Sequence, residues 1–136
     1  DAIAAAATCG GAVPRPVRAG RAVQLVVIGC GIPQFSMGWT HLYQVLGAPL
    51  SGLADVVGVV EPYFYSDAGR DAGGAATLRA FAATIPSVPF APSCEALRGM
   101  LPPLAPGQVR CAIIAMRAAD CRQAFGDAVR VLECRA

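Results

Sequence analysis

Residues 23–42 read VQLVVIGCGIPQFSMGWTHL, an apolar run that ends in Gly29-Cys30-Gly31. A glycine pair of this spacing after a buried strand can do one kind of chemistry well. The first glycine permits a tight turn, the second lets the backbone approach a pyrophosphate, and a third lets the next helix pack against the strand. The helix N-terminus then turns free N–H groups and the positive end of its dipole toward the phosphates. The third glycine is due at position 34, which is Gln34, and the next one is Gly38. Gly38 can serve only if residues 32–35 bulge outward before the helix begins. On that reading Gly29, Cys30, Gly31, Ile32 and Gly38 contact the ligand; an ordinary glycine turn is the competing reading.

A second apolar run, DVVGVVE, ends in Glu61. Its distance from the glycines is close to the ~20 residues expected of an acid that binds the adenosine ribose. A carboxylate accepts from both ribose hydroxyls and repels a 2′-phosphate. No arginine directly follows Glu61, so NAD is favoured over NADP. After the fourth apolar run, VRCAIIA, Met116 and Arg117 fall where ligands meet the carboxyl edge of a parallel sheet.

Other chemistries find less support. The eleven basic residues are all arginine, so no lysine is available for a Schiff base. His41 is the single histidine and none of the six cysteines forms a CxxC pair, which argues against a zinc site. Most of the cysteines sit among apolar neighbours and read as small buried hydrophobes, which suits a reducing, cytoplasmic compartment. His41, Trp39 and Met37 read as packing and loop-bracing residues. No residue stands out as a catalytic acid or base.

The elements that must hold these residues follow from hydrophobic period and turn signals. Strands are expected at Val23–Ile28, 55–61, 88–90 and 109–115, and helices at Met37–Leu46, 71–84, from 94 onward and 119–128. Ser93 caps the third helix, with Glu95 in its first turn. PPLAPG at 102–107 stops it. The closing VRVLEC reads as a fifth strand. Strand and helix in alternation imply parallel pairing with right-handed crossovers. The fold class is therefore α/β, a Rossmann-like doubly wound parallel sheet in order 3-2-1-4-5, in a single three-layer domain over residues 23–136. A flavodoxin-like order, 2-1-3-4-5, is the rival. Residues 1–22, rich in Ala and carrying Pro14, Pro16 and three arginines, read as a flexible lead-in; an organellar transit remnant is the alternative.

Hydrophobic residues make up 55% and charged residues 15% of the 136, and the mean hydropathy is +0.52. Those values favour one packed globular domain over disorder. No apolar run reaches the ~18 residues of a membrane span. A net charge of +2, spread along the chain, is no footprint for nucleic acid.

Taken together, VQLVVIGCG…MGWTHL, ADVVGVVEP, VPFAPSCEAL and VRCAIIAM resemble the nucleotide domain of the glucose–fructose oxidoreductase/inositol dehydrogenase (Gfo/Idh/MocA) family over roughly residues 22–134. With the inserted IPQF removed, Gly29, Gly31, Gly38 and His41 fall on that family's GxGxxGxxH. The resemblance implies an NAD(P)-dependent oxidoreductase acting on a sugar, inositol or similar alcohol. It implies a fragment whose substrate-binding domain lies outside the 136 residues, and it leaves homo-oligomerisation open. The departures are Met116-Arg117 in place of Thr-Pro, Asp120-Cys121 where a histidine motif is expected, and Glu133-Cys134-Arg135 in place of Glu-Lys-Pro. They keep a second reading open, a non-catalytic Rossmann-like binding or assembly module.

Overall fold

The computed structural model describes residues 21–47 and 52–136. The chain alternates β1 (Val23–Ile28), α1 (Met37–Leu46), β2 (Asp55–Val60), α2 (Ala75–Ala83), β3 (Phe90–Ala91), α3 (Cys94–Arg98), β4 (Val109–Ile114) and α4 (Ala118–Arg130). The four strands form one sheet in the order β3-β2-β1-β4, and every pairing is parallel. The flavodoxin-like order is thereby excluded, because β1 lies between β2 and β4.

Period-2 alternation sends successive residues of one strand to opposite faces. Leu25 and Val27 of β1 join Leu42 of α1 and Leu78 of α2 in one apolar cluster. Val26 and Ile28 join Leu97 of α3 and Ala124 of α4 in the other. Both faces of the sheet are covered, so β1 and β2 read as continuous apolar runs rather than alternating ones. Ser93 caps α3 as its sequence suggests, its Oγ accepting from Ala96 N at 3.1 Å.

Several boundaries differ from the sequence-based expectation. The second helix begins at Ala75 rather than 71, because turns occupy the chain up to Gly74. The third strand is two residues long and begins two residues later, at Phe90–Ala91. The linker residues 48–51, and residues 1–20 of the lead-in, lie outside the described residues. Arg21 and Ala22 belong to the fold. Arg21 pairs with the buried Asp55 at 3.3 Å, and Ala22 O accepts from Val109 N.

The fifth strand is the main correction. VRVLEC does not form one: α4 runs through Arg130, and the chain then turns. Ala124, Ala128 and Leu132 recur every four residues and are all buried, so helical spacing on one stripe outweighs the β-branched character of Val129 and Val131. Glu133 then adopts a left-handed φ of 58°. Arg135 N donates to Arg110 O at 2.9 Å, alongside the start of β4.

The opposite end of the sheet from the strands' carboxyl termini holds a buried polar cluster. Arg110, 4% exposed, donates to Gln24 Oε1 at 2.8 and 3.1 Å, to Leu132 O at 2.8 Å and to Pro102 O at 2.7 Å. Its partners are neutral oxygens contributed by β1, the 102–108 loop and the residues just past α4.

Candidate functional site

A cleft of about 910 Å³ opens at the carboxyl ends of the strands. Its floor is the glycine turn after β1. Gly29 and Gly31 both have positive φ, 86° and 72°, where an L side chain is strained. Gly38 is required for a different reason. A Cβ there would overlap Gly29 O and lie 2.8 Å from Gly29 C, so the first turn of α1 rests directly on the turn after β1.

The inserted IPQF is accommodated by a turn that closes on itself. Phe35 N and Ser36 N both donate to Ile32 O, at 3.1 and 3.0 Å, and Ile32 N donates to Ser36 Oγ at 2.9 Å. Gln34 adopts φ 71°, and Phe35 stands 84% exposed at the tip. The bulge therefore carries the chain outward and returns it so that Gly38 packs directly on Gly29.

Glu61, the first residue past β2, is 5% exposed. Its Oε2 accepts from Gly31 N at 2.7 Å and its Oε1 from Tyr63 N at 3.2 Å. Two backbone amides thus aim the carboxylate at the glycine turn. Each oxygen keeps a lone pair for a ligand hydroxyl.

Of the residues singled out from the sequence, Gly29, Cys30, Gly31, Gly38, Glu61, Met116 and Arg117 line this cleft. Ile32 does not. Its amide is taken by Ser36, and its side chain packs beside Gly74 against the apolar cluster under α1 and α2. Arg117 immediately precedes α4 with its side chain 89% exposed, paired to Asp120 at 3.1 Å. His41 is half-buried on α1 and is not among the lining residues. Sequence reasoning overlooked Ser36, although a serine just before the first helical residue is an N-cap signal that could have marked it. It also overlooked the acids on the far wall, Glu95, Asp120 and Asp127. With Glu61 they face a single lining arginine, so the cleft suits a ligand that presents hydrogen-bond donors.

Cys30, between the two glycines, is fully buried. Burial, aided by the Glu61 carboxylate, pushes its thiol from the ordinary 9.0 up to about 12. Because the folded value lies above the unfolded one, the buried thiol stabilises the fold fully below about pH 9, and that contribution is lost as pH rises toward 12. Urea midpoints measured at increasing alkalinity are expected to fall over this range, and Cys30→Ala should shallow the slope. An unchanged slope would show that Cys30 ionises as freely folded as unfolded.

No family model, curated protein or solved structure matches the chain. Among the described residues, no helix is long and apolar enough to cross a membrane.

Proposed function

We propose that this chain is the nucleotide-binding part of an NAD(P)-dependent oxidoreductase, with NAD as the preferred cofactor. The observation that carries the reading is the joint placement of three glycines and one acid. Gly29, Gly31 and Gly38 make a close-packed cradle in which a Cβ at any of the three would collide with neighbouring protein atoms, and the Glu61 carboxylate sits at its edge. On this reading the cradle takes a dinucleotide. Glu61 would accept from the adenosine ribose hydroxyls, and the first turn of α1 would face the diphosphate. Met116 and Arg117 would border the nicotinamide side, where the cofactor supplies hydride chemistry.

The NAD preference follows from charge. Two unit charges 4 Å apart interact by about 4 kcal/mol at an effective dielectric constant near 20. A 2′-phosphate beside the buried Glu61 would meet repulsion of that order, with no arginine lining that part of the cleft.

In the finer fold reading, the sheet is Rossmann-like in order 3-2-1-4-5, the fifth place beside β4 being reached at Arg135 and not within VRVLEC, which forms no strand. The bond from Arg135 N to Arg110 O supports it as the first rung of such a pairing. Val109 N and Ala115 N donate toward β1, so the alternate residues Ala112 and Ile114 turn their backbone groups to that outer edge. By resemblance to the Gfo/Idh/MocA family, the substrate is a sugar, inositol or related alcohol held by a second domain.

The second reading, a non-catalytic binding module, is favoured by one observation. The amides of Gly31 and Ile32 are already bonded within the protein.

A titration with NADH and NADPH tests both, read by energy transfer from Trp39, the single tryptophan. NADH is expected to bind the tighter, and Glu61→Ala to weaken NADH about tenfold or more through the lost charge-assisted bonds. Failure of both nucleotides to bind would sink the oxidoreductase reading. An unchanged NADH affinity in Glu61→Ala would remove the ribose role alone.

A further inference from the structure

We draw no further inference here: the strongest candidate, the outer edge of β4 beyond Arg110, where the half-buried apolar run 111–116 turns the backbone groups of Ala112 and Ile114 away from β1, is an unpartnered sheet edge, and nothing in the structure shows what covers it.

Discussion

Gly38→Ala is expected to destabilise the fold by about 3 kcal/mol, at the upper end for overpacking, and to abolish NADH binding. The new Cβ would overlap Gly29 O and stand 2.8 Å from Gly29 C and 3.0 Å from Cys30 Cα. All of these are backbone atoms, so no side-chain rotation can relieve the contact. Either α1 lifts from the sheet or the glycine turn is pushed out of its cradle. Both movements displace the amides of Met37 and Gly38, and the Gly31 amide that orients Glu61 shifts with the turn. Gly73→Ala is the matched control, because a Cβ there meets nothing within 4 Å. It should fall within the ~0.5 kcal/mol typical of surface substitutions. Chemical denaturation of the two variants side by side decides the matter. If Gly38→Ala proves as stable as Gly73→Ala, the close approach of α1 to the glycine turn is not what holds this site together.

The second large effect lies at the other end of the sheet. Arg110→Leu is expected to cost about 3–5 kcal/mol, because several buried acceptors lose their donor at once and each such loss costs about 1–3 kcal/mol. Gln24 Oε1, Leu132 O and Pro102 O all take bonds from this one guanidinium. Gln24 Nε2 meanwhile reaches Pro103 O at 3.2 Å, so the 102–108 loop would loosen with it. The chain past α4 would also be released, since both the Arg110 side chain and its carbonyl hold it. Arg117→Leu offers the contrast. That arginine is 89% exposed with one pairing, to Asp120, and such a surface pair contributes about 0–1 kcal/mol. Folded Arg110→Leu should retain NADH affinity, because the cluster is remote from the cleft. Equal urea midpoints for the two variants would refute the assigned weight of the buried cluster.

These two positions also mark where sequence reasoning ends. The requirement for glycine at 38 is suggested by the motif spacing, but the overlap that enforces it involves atoms of a different element. Arg110 offers no such hint. In VRCAII it reads as a polar residue interrupting an apolar strand, and only the converging carbonyls of three distant segments explain its burial.

The sequence by itself determined the α/β class, the extents of β1 and α1, the capping of α3 by Ser93, and the glycine-acid pattern at the carboxyl edge. Each of these is local. Hydrophobic period, turn residues and capping preference act over a few neighbouring residues, so they can be read along the chain. Tertiary structure alone decided the sheet order, the helical course of residues 129 and 130, the withdrawal of Ile32 from the cleft, and the pairing of Glu61 with Gly31 across thirty residues. It also made the side chain of Ser36, at the N-cap position of α1, a brace for the inserted loop. In each case the outcome depends on which of several competing partners packing brings within about 3 Å, and a linear pattern does not record that choice.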